Sequence, residues 1–277
     1  MKARPAAGPA RRPTVAVIGL GLIGGSLARA LTRAGYRVVG CDREAVLRRA
    51  RRARALAASD ATPERAAAQA DVVFLAAPPR ANLALLVRLA RVVRPGTVLS
   101  DVGSVKRPIV REAERLGLRG FVGGHPMAGN EGSGFEASAA DLFQGRSWIL
   151  TPPRAGLRSL AAVRSLVRAV GARPVLLSAA EHDRVVAFLS QAPQVASWAL
   201  LQAARSDAVA ARRLALAGPG FRDMTRLARS PRRLWGEILA QNRAELGRAL
   251  AALRRALSAT QKAATIPASR SRRGARG

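Results

Sequence analysis

The chain predicts an α/β first half, a doubly wound and mostly parallel sheet over residues 14–152, and an all-helical second half over residues 153–265. Three observations carry this expectation. Short apolar, β-branched runs alternate with helical patterns up to residue 152; a glycine fingerprint follows the first run; and helical periodicity dominates beyond Pro152-Pro153.

Thr14-Val15-Ala16-Val17-Ile18 reads as a strand covered on both faces. It enters Gly19-Leu20-Gly21-Leu22-Ile23-Gly24-Gly25-Ser26, where Gly19, Gly21 and Gly24 match the GxGxxG fingerprint between a strand and a helix. Such a turn lets backbone approach a pyrophosphate while the helix N-terminus, opened by Leu22 and Ile23, favours the anion. A second strand, Tyr36–Cys41, ends at Asp42, 18 residues after Gly24, where a carboxylate meets a ribose 2′-hydroxyl. That acid favours NAD; the neighbouring Arg43 keeps NADP as the alternative. The run Asp71–Pro78 is the next strand, ending in a loop with Ala77 and Pro78 over which a cofactor lies. Thr97–Ser104 follows, with Ser104 and Lys106 just past its end.

Gly120-Phe121-Val122 predicts a buried strand leading into a glycine-rich loop, Gly123–Glu131, that carries His125. There are two histidines in 277 residues. A ring titrating near neutral pH at a strand end suits proton transfer. Ligands in open parallel sheets bind beyond the carboxyl ends of the strands, so Gly19–Gly24, Ala76–Pro79, Ser104–Lys106 and His125–Glu131 are expected to share one crevice. Trp148–Thr151 closes the first half.

Helices are then predicted over Leu157–Val170, Ala179–Arg205 and about Leu234–Lys262, with a short strand at Pro174–Leu177. Their apolar faces would bury a core and a partner subunit. His182, in Glu181-His182-Asp183 near a helix start, reads as a capping or packing histidine.

Composition narrows the classes. No apolar run approaches a membrane span, and the basic stretch Met1–Pro13 has no following h-region, so neither a membrane protein nor a secretory signal is expected. A lone cysteine, Cys41, forms no internal disulfide and fits a cytoplasmic protein. The formal net charge of +30 invites a nucleic-acid reading, but three of 47 basic residues are lysine and aromatics are only 4 %. Arginines spread along solvated helix faces predict salt-sensitive adhesion to polyanions, without specific nucleic-acid binding. The basic tails, residues 1–13 and 266–277, are expected to be disordered.

Several motifs together resemble the prephenate/arogenate (cyclohexadienyl) dehydrogenase family of tyrosine biosynthesis. They are Val17–Ser26, Asp101-Val102-Gly103-Ser104-Val105-Lys106, Gly124-His125-Pro126-Met127-Ala128-Gly129, Leu142-Phe143 with Trp148–Pro152, and Gly220-Phe221-Arg222-Asp223-Met224-Thr225-Arg226. The resemblance spans about residues 14–260. It implies an N-terminal Rossmann domain, a helical dimerisation domain, and oxidative decarboxylation of prephenate or arogenate with hydride transfer to NAD(P). It further implies that His125 is the base, that Ser104 bonds the same hydroxyl, and that Arg226, with Arg222 nearby, binds a substrate carboxylate. Glu131 either tunes the choice between the two substrates or pairs with a neighbouring arginine. Where the family has Ser-His-Leu-Pro-His, this chain has Ser190-Gln191-Ala192-Pro193-Gln194. Gln194 can still donate to a carboxylate, but it neither titrates nor carries charge. The competing readings are another NAD(P) dehydrogenase of Rossmann-plus-helical build, and a basic polyanion-binding protein without turnover. No metal is expected.

Overall fold

A computed structural model of the chain describes residues 12–153 and 156–264. The tail expected over 266–277 lies outside the described residues, as do residues 1–11 of the other. Arg12 is described, and its guanidinium bonds the Ala34 carbonyl and covers the Tyr36 ring.

The first half alternates as expected: β1 (Val15–Ile18), α1 (Leu22–Arg33), β2 (Val38–Cys41), α2 (Glu44–Arg52), β3 (Ala58–Ser59), α3 (Pro63–Ala68), β4 (Val72–Leu75), α4 (Pro79–Leu89), β5 (Val98–Asp101) and α5 (Arg107–Arg115). The five strands form one parallel sheet in the order β3-β2-β1-β4-β5. Its two faces are covered by separate apolar clusters: Val15, Val17 and Phe74 point to one, and Ala16, Ile18, Val73 and Leu75 to the other. This is why the strand sequences are apolar without alternation. The order reverses between β1 and β4, which opens a crevice beyond their carboxyl ends.

The sheet continues through a single parallel bridge, Ser100 to Val122, into β6 (Gly123–Pro126). β6 pairs antiparallel with β7 (Ser147–Thr151). The strand expected at Gly120–Val122 therefore begins later, and His125 lies on β6, opposite Ile149, instead of on a loop beyond it. Glycine pairs usually signal loops. Here small size is the requirement: a Cβ on Gly124 would stand 2.4 Å from the Asp101 carbonyl oxygen and 3.1 Å from Trp148 Nε1.

The division expected at Pro152-Pro153 falls about 24 residues further on. Helix α6 (Leu157–Ala169) buries Leu160, Val163, Leu166 and Val167 in the core of the first half. Strand β8 (Arg173–Leu176) then pairs in parallel with β7. The helix and strand expected in the second half thus complete the first.

The remainder is helical: α7 (Ala179–Val186), a π-helical turn (Ala187–Gln191), α8 (Ala192–Ser206), α9 (Ala208–Arg212), α10 (Pro219–Thr225), a 3₁₀ turn (Arg226–Arg229), α11 (Arg232–Gln241) and α12 (Arg243–Ala264). The run expected as one helix from Leu234 breaks at Asn242. There the side-chain amide turns inward, donating to the Asp183 carbonyl and to Gln191 Oε1, each at 2.8 Å. Among the described residues, no helix is long and apolar enough to cross a membrane.

Candidate active site

The glycine turn after β1 has the shape a dinucleotide needs. Gly19 has φ +97°, and a Cβ there would lie 2.7 Å from the Ala76 backbone; a Cβ on Gly24 would lie 1.9 Å from the Gly19 carbonyl oxygen. Only glycine lets α1 seat this tightly on β1 and β4. Around Gly21, by contrast, a Cβ would meet nothing within 4 Å, so its backbone faces open space where a pyrophosphate fits. Leu22 and Ile23 open α1 beside it. Asp42 braces the turn, accepting from the Leu20 N–H at 2.7 Å and the Arg43 N–H at 2.7 Å. The Arg43 side chain is 89 % exposed, with Nε 3.9 Å from Asp42. Asn82 on α4 holds the Ala77-Pro78 loop, accepting from the Ala77 N–H at 3.0 Å. These residues fit a dinucleotide.

Around His125 the structure assembles a buried network. His125 Nδ1 lies 2.8 Å from His182 Nε2, and the rings meet edge to face with centroids 5.0 Å apart. His182 Nδ1 lies 2.8 Å from Asp183 Oδ1. The same carboxylate accepts the Lys106 N–H at 2.7 Å and the Arg107 N–H at 2.9 Å, at the start of α5. Lys106 is fully buried; its ammonium bonds the Asp101 carboxylate and, at 2.7 Å, the Gly124 carbonyl. Asp101 also accepts from the Gly124 N–H at 3.0 Å. The Asp101–Lys106 pair therefore holds both backbone groups of the residue preceding His125.

The hydrogen bonds decide the tautomers. A carboxylate accepts, so His182 carries its proton on Nδ1 and offers the Nε2 lone pair to His125. His125 then donates from Nδ1, which leaves its own Nε2 as an unprotonated base. Burial, then the neighbouring His182, then the Lys106 ammonium hold His125 well below the usual imidazole range. Burial also lowers His182, and the hydrogen bond to Asp183 opposes that shift. Both rings are thus neutral near pH 7. Such a line can accept one proton at His125 and share the resulting charge toward Asp183.

His182 was expected to cap or pack; the cap of α7 is Ser178, whose hydroxyl accepts from the Glu181 N–H at 3.2 Å, and His182 turns inward. Sequence reasoning gave His182 only a capping or packing role, placed Ser104–Lys106 at the crevice without assigning Lys106 a function, and did not single out Asp183 or Asp101 as site residues. The available signal was that a chain with two histidines places an acid directly after the second.

The other candidates divide. Glu131, five residues past β6, forms an ion pair with Arg226, which begins the 3₁₀ turn after α10. This contact joins the Arg226 segment to the loop leaving His125, so the pairing alternative for Glu131 is realised in the structure. Its carboxyl is held below the usual range chiefly by a backbone hydrogen bond, with Arg226 adding to the effect against burial. Ser104, beyond β5, lines a small cavity with Asn82, Asp101 and Gln241, and no described hydrogen bond joins it to His125. Arg222 is exposed on α10, with no described partner. Gln194 is fully buried and its amide donates to the Leu227 carbonyl at 2.7 Å, next to Arg226.

Both halves of the chain match known proteins. The family profile "Prephenate dehydrogenase, nucleotide-binding domain" matches residues 27–176, and "Prephenate dehydrogenase, dimerization domain" matches residues 178–267. The junction between them falls where β8 ends. A prephenate dehydrogenase from Lactococcus lactis is 34 % identical over 82 % of this chain and 64 % of its own length. A cyclohexadienyl dehydrogenase from Zymomonas mobilis is 34 % identical over 82 % of this chain and 80 % of its own. The chain thus spans just under two thirds of the length of the Lactococcus relative. The crystal structure of Aquifex aeolicus prephenate dehydrogenase with hydroxyphenyl propionate and NAD+ superposes with a TM-score of 0.79. It is 27 % identical, with 90 % of this chain and 89 % of that one covered. With both halves matched in order across the described fold, the chain belongs to the prephenate dehydrogenase family.

Proposed function

We propose that this protein catalyses the oxidative decarboxylation of prephenate, arogenate or both, reducing NAD, and works as a homodimer in the cytoplasm. The observation that carries the reading is the hydrogen-bonded His125–His182–Asp183 line at the carboxyl end of the sheet. The substrates are cyclohexadienes with a hydroxyl on one ring carbon and a carboxylate on the opposite one. When bound at the glycine turn, NAD supplies the hydride acceptor. His125 Nε2 takes the hydroxyl proton as hydride leaves the same carbon, and His182 and Asp183 disperse the charge that develops. Ser104 orients the hydroxyl. Arg226 exchanges its Glu131 partner for a substrate carboxylate, a bidentate contact suited to guanidinium. Loss of the ring carboxylate as carbon dioxide completes the aromatic ring, which makes the step irreversible.

The preference for NAD over NADP is supported by the Asp42 carboxylate at the end of β2, beside the glycine turn, which would repel a 2′-phosphate. The dimer follows from the exposed apolar side chains of the helical half, among them Leu189, Val209, Leu216 and Leu257. Absorbance of the reduced cofactor, followed with both substrates and both cofactors in a four-way comparison, tests the reading. NAD reduction with at least one substrate is the expected result; silence in all four mixtures would end it.

A further inference from the structure

Strand β7 stops at Thr151 because Pro152 and Pro153 follow, and proline has no N–H to carry the ladder on. Helix α5 ends nearby: Gly117 takes the left-handed conformation, φ +72°, and the chain turns back toward Phe121. Between these two ends lies a cavity of about 230 Å³. Helix α5 starts at the crevice, after Lys106, and the cavity lies along its far half, from Val110 to Gly117. The volume is below that of drug-sized pockets and suits a small metabolite.

The lining has three parts. Val110, Leu118 and Phe121 supply apolar walls. Thr151, 4 % exposed, also lines the cavity, and its Oγ1 has no hydrogen-bond partner among the described residues. A hydroxyl left buried and unpaired is costly, so a ligand group that reaches it gains. Glu114 and Arg119, both exposed, stand at the mouth. On a chain of net charge +30, an arginine alone would attract any anion; a carboxylate at the same mouth favours a zwitterion. An aromatic α-amino acid with a polar ring atom matches all three parts. Its head group meets Arg119 and Glu114, its ring fills the apolar interior, and its polar ring atom pairs with Thr151.

We propose that this cavity is a second small-molecule site, apart from the crevice, for an aromatic α-amino acid whose ring carries a hydrogen-bonding group. Exposed charges contribute little, so the contact with Thr151 sets the selectivity. The test is calorimetric titration of the full chain with L-tryptophan, whose indole N–H can donate to Thr151, and with L-phenylalanine, which has the same head group and no polar ring atom. Tryptophan is expected to bind more tightly than phenylalanine, and Thr151→Val to weaken tryptophan alone by roughly three- to tenfold, the weight of one hydrogen bond. Because that variant removes an unpaired hydroxyl from a strand, its urea midpoint is expected to hold or rise. Saturating 3-(4-hydroxyphenyl)propionate, offered to the crevice, should leave tryptophan binding unchanged. No tryptophan binding, a preference over phenylalanine that survives Thr151→Val, a lower urea midpoint in that variant, or displacement by the propionate overturns the proposal.

Discussion

The two ends of the proposed site handle charge in opposite ways. At the His125 end every charge is buried and answered: the Lys106 and Asp101 side chains are 0 % and 1 % exposed, and Asp183 accepts from three groups. At the Arg226 end the partners are open to water, with side chains 58 % and 31 % exposed. Buried pairs are costly to assemble and more costly to break, whereas exposed pairs contribute little and exchange readily. The first end suits chemistry that needs a fixed geometry. The second suits capture, since an arginine already accustomed to a carboxylate gives up little by changing partners.

Removing the base breaks this contrast most sharply. His125→Asn should lower kcat by ~10²–10⁴-fold while NAD affinity, measured by fluorescence titration, stays unchanged. Near-normal turnover at saturating substrate would show that the buried line is scaffolding.

Lys106→Met leaves Asp101 buried without its cation, and denaturant titration should report a loss of about 3–5 kcal/mol. A loss no larger than that of a surface substitution would remove the basis for treating the two ends differently.

Between pH 7.5 and 5, above the carboxylate range in which Glu131 titrates, acid should act on the buried end. The folded-state pKa values of His125 and His182 lie below their unfolded ones, so below about pH 6.5 the unfolded chain binds more protons and stability falls. Each histidine costs up to ~1.4 kcal/mol per pH unit until its folded pKa is reached. Urea midpoints measured from pH 7.5 to 5 should decline, and the slope should flatten in His182→Asn.

At the open end, Arg226→Ala should raise the KM for substrate roughly 30-fold or more, with stability moved by less than about 1 kcal/mol. Glu131→Gln is the mildest change, expected within ~0.5 kcal/mol in stability, and its effect on KM should shrink further in high salt.

Much of this was legible in the chain. The strand–glycine turn–helix order of residues 14–33 is a local pattern, and the structure realises it with Gly19 and Gly24 at contact distance. The motif around Arg226 likewise located a segment that reaches the His125 side. The dividing point was misplaced because prolines at 152 and 153 mark a break in path, not in packing. What ties α6 and β8 to the first core is a face of Leu160, Val163 and Leu166, and a strand pairing whose partner is 26 residues earlier.

The sequence by itself determined the glycine turn after the first strand, the acid that ends the second strand, and the family to which the motifs point, because each of these is written in contiguous residues with their own backbone requirements. Tertiary structure alone decided that His182 faces His125 across 57 residues, that Asp183 fixes both tautomers, and that Gln194 donates to Leu227. Those facts are directions of hydrogen bonds between distant elements, and a direction exists only once the elements have packed.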